Sequence, residues 1–159
     1  MSHVTHIEIV ISDLDALREA AEACDCELIE GQKTYKWFGK WVNDYHSKDA
    51  AYHHGIDPKQ YGKCEHAIRI KGGKSNAYEV GVCKNPNGEG YVLIYDFYAG
   101  GNGLEAKIGH RAEKLEQQYK ASAVKSEMAR KGFKVTKSWE EKGTIQMEFE
   151  QKVGSAKRW

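Results

Sequence analysis

Side chains that can do chemistry are concentrated in one stretch of the chain, Trp37 to Lys74. It contains four of the seven histidines, one of the four cysteines and two of the four tryptophans. It has seven basic and four acidic residues, a net charge of +3, whereas the whole 159-residue chain has a net charge of +1. A local excess of positive charge beside aromatic and titratable side chains is suited to binding anions. We therefore expect the functional site in this stretch.

Aromatic residues alternate with lysines along the first half of this segment. Aromatic rings stack on nucleic-acid bases and lysines contact phosphates, so the composition suits a nucleotide or nucleic-acid surface. It also suits a loop that folds back into a small second hydrophobic core, and we favour that interpretation for about half of the aromatic residues. The candidates for binding a protein partner or an anionic ligand are Trp41, Tyr45, His46, Lys48, His53, His54, Tyr61, Lys63, His66 and Arg69.

The histidines and cysteines of the segment are also chemically able to bind zinc. Structural zinc sites usually take their ligands in pairs separated by two to four residues. Cys64 and His66 have only one residue between them, and His53 and His54 are adjacent. The spacing therefore predicts no metal site, and we expect no cofactor.

Catalysis would require acid–base pairs or an activated nucleophile from the same segment. Cys64 beside Lys63 is a candidate for an activated thiol. The chain contains no nucleophile elbow, metalloprotease helix or kinase signature. We favour a non-enzymatic binding module, and the alternative is a nucleic-acid-processing or hydrolytic enzyme. Its acid–base candidates are Asp44, Asp49, Asp57, His46 and His66.

Two glycine-containing motifs resemble phosphate-binding loops. Gly101-Asn102-Gly103 begins a match to G-x-G-x-x-(G/A), but no acidic residue ends a strand about 20 positions later. We interpret it as the flexible start of a helix, with Gly101, Asn102 and Gly103 as possible anion ligands. Gly73-Lys74-Ser75 matches the end of a P-loop, but Ile68 stands where the first glycine is required. We interpret it as a hairpin turn.

Hydrophobic periodicity predicts the elements that must position these residues. Residues 5–11 alternate with a period of two, which is typical of a strand with one buried face. The longest predicted helix runs from Leu104 to about Lys131. Ser12 is expected to cap an earlier helix, whose apolar stripe is Leu14, Leu17, Ala21 and Cys24. The remaining strands are predicted near residues 26–29, 66–71, 78–82, 91–97, 133–139 and 145–149.

This order of elements predicts an α+β fold, an antiparallel sheet with two amphipathic helices on one face. It approaches a ferredoxin-like βαββαβ plan with extra strands and one insertion. We predict a single domain at 1–152, with the insertion at 40–63 and a C-terminal tail at 153–159. The side chains expected to be buried together between helices and sheet are Ile9, Leu17, Leu93, Leu115 and Met147.

Several stretches outside the insertion resemble one small family. They are MSHVTHIEIVISDLDALREAAEA, GYVLIYDFYAG, the long predicted helix, ARKGFKVTKSWEEKGTIQMEFEQ and the final Arg158-Trp159. The family is a domain of unknown function that includes a hypothetical chloroplast reading frame of algal plastids, cyanobacterial homologues and bacteriophage-encoded relatives. The resemblance skips residues 37–66, so it implies a phage-type member with an insertion. It implies a fold and a cytoplasmic setting but no activity, because none is established for the family.

The bulk properties favour the same cellular setting. No apolar run approaches the roughly 18 residues that a membrane span requires, and the first residues lack the features of a secretory signal. The four cysteines are not spaced as a disulfide framework. We therefore expect a cytoplasmic protein with reduced thiols and no membrane partner.

Overall fold

The computed structural model of the protein describes residues 4–37 and 61–152. Within them the chain has a five-stranded antiparallel sheet, three α-helices and a separate two-stranded sheet. This confirms the predicted α+β class. The strands of the larger sheet are β1 (Val4–Ile11), β2 (Cys26–Glu30), β3 (His66–Ile70), β4 (Val80–Lys84) and β5 (Tyr91–Asp96).

The strand order in the larger sheet is β1-β5-β4-β3-β2, and every neighbouring pair is antiparallel. β1 and β2 therefore point the same way at opposite edges, and helix α1 (Leu14–Ala23) connects them. The ferredoxin-like plan is not confirmed, since β3, β4 and β5 follow one another without a second helix between them.

The single helix predicted over residues 104–131 is wrong, because two helices occupy that range. They are α2 (Leu104–Ile108) and α3 (Glu113–Arg130). The break is at Gly109, whose φ of 89° and ψ of 164° are not helical. A Cβ atom there would lie 2.9 Å from the backbone nitrogen of Lys114, so only glycine fits without a local shift. Among the described helices, none combines the length and apolar composition that crossing a membrane requires.

Helix α1 is capped by an aspartate rather than by the predicted Ser12. Asp13 Oδ1 accepts a hydrogen bond from the backbone N–H of Ala16 at 3.0 Å, which satisfies a donor of the first turn. The backbone N–H of Ser12 donates instead to the Tyr119 hydroxyl at 3.0 Å. That bond connects the start of α1 to α3.

The main hydrophobic core lies between the helices and one face of the larger sheet. Leu17, Leu93 and Leu115 are buried there, as predicted, and Ile9 packs against the core but is only partly buried. Each large aliphatic side chain that is fully buried contributes about 1.5–3 kcal/mol, so this face supplies most of the driving force for folding. The prediction that Met147 belongs to this core is wrong.

Met147 lies in a hairpin of β6 (Phe133–Glu141) and β7 (Thr144–Gln151), which packs against α3. These two strands pair only with each other, and their apolar side chains are at most half-buried. β6 contains Lys134 and Lys137 and has a bulge beside Lys137. Lysines and bulges oppose pairing of a strand edge with another strand, which explains why the hairpin does not extend the larger sheet.

Two segments at the base of the insertion, residues 33–37 (the first arm) and 61–65 (the second arm), cover the opposite face of the larger sheet. The backbone N–H of Tyr35 donates to the carbonyl of Gly62 at 3.0 Å, and that of Cys64 donates to the carbonyl of Lys33 at 2.8 Å. The paired arms bring aromatic rings onto β3, β4 and β5, which confirms the second core expected for part of the aromatic residues. Its buried members are Tyr35, Tyr61, Cys64, Ala67, Val92 and Ile94.

Candidate functional site

The predicted binding residues are divided between described and undescribed parts of the chain. The described ones from the segment 37–74 are Tyr61, Lys63, His66 and Arg69. The others lie outside the described residues, namely Trp41, Tyr45, His46, Lys48, His53 and His54, and so do the acid–base candidates Asp44, Asp49 and Asp57. The structure therefore tests the convergence of the first group only.

Three of these four described residues make structural contacts near the beginning of β3. His66 Nδ1 accepts a hydrogen bond from the backbone N–H of Gly31 at 3.0 Å, and its ring meets the edge of Tyr91 at a centroid distance of 5.3 Å. Tyr61 is buried and packs edge-on against Trp37, with ring centroids 5.5 Å apart. Lys63 is exposed, and its backbone carbonyl accepts from the Cys83 thiol at 3.4 Å. These observed contacts are all with the protein's own backbone and rings.

The thiols of the second core are held in their protonated form. Burial raises the pKa of Cys64 to about 11, and its Sγ donates to the carbonyl of Gln32 at 3.2 Å. Burial likewise raises the pKa of Cys83 to about 12. The thiolate is the nucleophilic form of cysteine, so a raised pKa suppresses reactivity at neutral pH. Burial of Cys64 and its hydrogen bond to Gln32 therefore oppose its activation by Lys63.

We expect the folded protein to resist alkylation by iodoacetamide at pH 8. A thiol with a pKa of about 11 is only about one part in a thousand thiolate at that pH, and Cys64 is also shielded from the reagent. Reactivity should rise only as the pH approaches the raised pKa, or when urea unfolds the chain. Peptide mapping by mass spectrometry, with glutathione as the reference thiol, checks this. Modification of native Cys64 at the rate of glutathione would contradict it.

The fourth described residue, Arg69, lies beside a cleft of about 260 Å³ at the opposite end of β3. Three basic side chains line this cleft: Lys36 from the first arm, Arg69 from β3, and Lys74 from the turn before β4. Two carboxylates, Glu27 and Glu79, also line it. Cations from three separate segments thus meet at one opening.

The two carboxylates have different roles in the cleft. Glu79 is 6% exposed, and its Oε1 accepts hydrogen bonds from Gln32 Nε2 at 3.0 Å and from the backbone N–H of Lys36 at 2.9 Å. Its charge is therefore used to hold the first arm against β4. Glu27 Oε2 accepts from Arg69 Nε at 3.1 Å, which orients the guanidinium group. That pair uses one of the three guanidinium nitrogens.

Glycines shape the turn that forms the outer wall of the cleft. Gly72 has a φ of +61°, and the backbone N–H of Gly73 donates to the carbonyl of Ile70 at 3.2 Å. The Lys36 ammonium donates to the Ser75 carbonyl at 2.8 Å, so the first arm and the turn are connected across the opening. The motif Gly73-Lys74-Ser75 is a hairpin turn, as predicted, and it also lines a cleft.

The predicted anion ligands Gly101, Asn102 and Gly103 precede helix α2, and the first two form hydrogen bonds to the segment that forms this wall of the cleft. The carbonyl of Gly101 accepts from the backbone N–H of Tyr78 at 3.0 Å, and Asn102 Nδ2 donates to the carbonyl of Asn76 at 2.9 Å. The helix that follows them, α2, is only five residues long. Their observed hydrogen bonds are structural, and they fix the segment that precedes β4.

These glycines belong to a left-handed turn, Tyr98–Gly103, which is unusual for L-amino acids. Ala99, Gly100, Gly101 and Asn102 have φ between 51° and 66° and ψ between 17° and 43°. Left-handed geometry costs a residue with a Cβ about 1–2 kcal/mol. Asp96, which is 1% exposed, begins the turn by accepting a hydrogen bond from the backbone N–H of Tyr98 at 2.9 Å.

Sequence reasoning missed Lys36 and Lys74 as site residues. Lys74 was within the basic segment, but its motif was interpreted only as a turn. Lys36 lies one position before the segment, and its role depends on the pairing of the two arms. No pattern in the local sequence predicts that the two arms pair with each other.

The chemistry available in the cleft is electrostatic binding. Its positive side chains can hold an anion, while no three His, Cys, Asp or Glu side chains of the described residues are grouped so that they could hold a metal ion. Comparison of the chain with protein-family models, with curated proteins and with solved structures found no match.

Proposed function

We propose that this protein is a small non-enzymatic binding module that holds an anionic ligand in the cleft formed by Lys36, Arg69 and Lys74. The observation that supports this function best is the convergence of three cations, from three separate segments, on one cleft. One of the two carboxylates there is buried and hydrogen-bonded to the first arm. The cleft therefore presents positive charge to its opening.

The size and polarity of the cleft limit what enters it. Pockets that enclose a whole organic ligand usually have volumes of about 300–1,000 Å³ and mostly apolar linings. This cleft is smaller, at about 260 Å³, and its lining is rich in charged side chains and glycine. It suits a single phosphate or similar anion, with the rest of the ligand outside. Arg69 suits a tetrahedral oxyanion because its planar guanidinium can donate two hydrogen bonds in parallel.

The alternative function, a nucleic-acid-processing or hydrolytic enzyme, has less support from the described residues. His66 is used in a hydrogen bond to the backbone, and Cys64 is a buried thiol with a raised pKa. The remaining acid–base candidates of that hypothesis lie outside the described residues. A protein partner with an acidic surface would use the same cations as a phosphate, so it is a variant of the proposed function.

The origin of the chain is proposed on the family resemblance alone. Its matching stretches correspond to complete structural units, β1–α1, β5 and the β6–β7 hairpin. The stretch without resemblance, 37–66, falls largely between the two paired arms. We propose a phage-type member of that family, with a cytoplasmic setting and an insertion whose flanking first arm supplies Lys36 to the cleft.

We expect Lys36→Gln, Arg69→Gln and Lys74→Gln each to weaken binding of pyrophosphate by about threefold to tenfold, or about 0.7–1.4 kcal/mol. Each change removes one positive charge from a partly exposed site, where ionic interactions are screened and modest. The triple variant should bind too weakly to measure. Isothermal titration calorimetry at low and at roughly 0.15 M ionic strength checks this, and added salt should weaken binding by the unmodified protein.

The matched control is Lys84→Gln, which makes the same charge change on an exposed lysine at the other end of β4. It should leave the affinity for pyrophosphate unchanged. Melting curves of every variant separate loss of binding from loss of folding. An equal effect of Lys84→Gln, or no detectable binding of pyrophosphate by the unmodified protein, would show that the cleft is not the site.

A further inference from the structure

We infer that the anion held in the cleft is a backbone phosphate of a single-stranded nucleic acid, and that a neighbouring base stacks on Tyr98. This inference rests on the proposed function of the cleft and specifies its ligand. It depends on an additional feature of the surface, two exposed aromatic rings on the left-handed turn that supports the cleft wall.

The exposed rings are Phe97 and Tyr98, which are 37% and 41% exposed. They are two of the four large hydrophobic side chains exposed among the described residues, and the other two are valines. Each of these two adjacent residues leaves more than a third of its surface exposed, which offers a place where flat apolar groups can be bound.

The turn places these rings close to the cleft. The carbonyl of Gly101, three residues after Tyr98, accepts from the backbone N–H of Tyr78 at 3.0 Å, and Tyr78 lines the cleft. Burial is the main cause that raises the pKa of Tyr78, and Asp96 and the Tyr98 phenol contribute, so the two tyrosines are close enough to interact. The turn is thus joined directly to the cleft wall, and in the proposed complex one nucleotide and its neighbour span the two.

The left-handed backbone conformation of this turn is unfavourable in free energy. Ala99 and Asn102 both carry a Cβ and adopt positive φ, at 51° and 53°. Backbone strain of this kind persists where the surrounding structure imposes it, and it is concentrated at binding sites. Here the buried Asp96 accepts from the backbone N–H of Tyr98, and Asn102 donates to the cleft wall. These hydrogen bonds fix the turn, so the turn orients both the exposed rings and the wall of the cleft.

The cleft and the rings together match a polymer better than a free mononucleotide. Five of the eleven residues that line the cleft are charged, so the cleft suits a phosphate better than a base. Stacking on an exposed ring tolerates any base and contributes substantially to binding of unpaired strands. In a duplex the bases are already stacked within the helix, so their faces are not available to Tyr98.

The test uses the full-length protein, a fluorescein-labelled oligonucleotide of twelve thymidines, and fluorescence anisotropy. Tyr98→Leu should weaken binding of this probe by about 5- to 100-fold, because base stacking on an aromatic ring is lost. Tyr98→Phe keeps the ring and should bind like the unmodified protein. Val124→Ala, at an exposed apolar residue on α3, is the control and should change nothing. None of the three should change the affinity for pyrophosphate.

Two further probes separate this inference from the proposed function. An abasic strand with the same number of phosphates should bind weakly, and Tyr98→Leu should not weaken it further. If the abasic strand or a phosphoserine peptide binds as tightly as the thymidine probe, or if Tyr98→Leu has no effect on that probe, single-strand recognition is wrong while the anion cleft stands. If pyrophosphate itself does not bind, both are wrong.

Discussion

Leu115→Ala is expected to lower the free energy of unfolding by about 2–5 kcal/mol, the usual range for truncating a buried leucine. Leu115 is 0% exposed and lies on α3, where the helix faces the sheet and α1. The effect should be near the upper end, because the hydrogen bond from Ser12 to the Tyr119 hydroxyl fixes α3 to the start of α1 and limits the shift of the helix into the cavity. Urea denaturation followed by circular dichroism measures the loss.

The control for this prediction is Val124→Ala on the same helix. Val124 is 48% exposed, so its truncation removes little buried surface and should change the stability by less than about 0.5 kcal/mol. A loss of that size for Leu115→Ala as well would mean that α3 does not contribute to the core. Both variants should retain affinity for pyrophosphate wherever the protein is folded, because neither residue lines the cleft.

Gly81→Ala is expected to cost about 1–3 kcal/mol, the range for inserting extra volume into a packed core. A Cβ at this position would lie 2.5 Å from Cδ1 of Tyr35, which is closer than real Cβ atoms approach other atoms. Neither side can move freely, since Gly81 is paired with β3 on one side and β5 on the other, and Tyr35 is 4% exposed in the second core. The first arm should therefore be pushed off the sheet.

A double-mutant cycle with Tyr35→Leu tests this cause directly. In the Tyr35→Leu background the added methyl group has space, so Gly81→Ala should cost less there than in the unmodified protein. Lys36 follows Tyr35 in the first arm, so Gly81→Ala should also weaken binding of pyrophosphate through loss of the cleft wall. Equal costs of Gly81→Ala in both backgrounds would show that Tyr35 is not the source of the clash.

The sequence correctly predicts the parts of the fold that depend on the local periodicity of hydrophobic residues. The strands β1 to β5 and helix α1 follow from alternation and from one apolar stripe, and both patterns depend on neighbours a few residues apart. The prediction of one long helix disregards Gly109, the one glycine within residues 104–131. Its close approach to Lys114 could be seen only in three dimensions.

The candidate site was less predictable, because its residues meet through pairing of distant segments. Lys36, Arg69 and Lys74 converge only when the insertion arms pair over the second core and the turn after β3 folds back. Composition alone indicated positive charge and aromatic groups, and it did not distinguish Tyr61, which is buried, from Tyr98, which is exposed. The position of Tyr98 in a left-handed turn depends on backbone geometry that glycine content suggests but does not determine.

The position of β1 at an edge of the sheet has a consequence for synthesis of the chain. β1 pairs only with β5 in the larger sheet, and Val4 lies opposite Asp96, a separation of 92 positions (96 − 4). At translation rates of about 5–20 residues per second, the first strand leaves the ribosome about 5–20 s before its partner does. During that interval β1 has no partner strand, while β2, β3 and β4 can already pair in sequence. The sheet is therefore completed at the strand that was synthesised first.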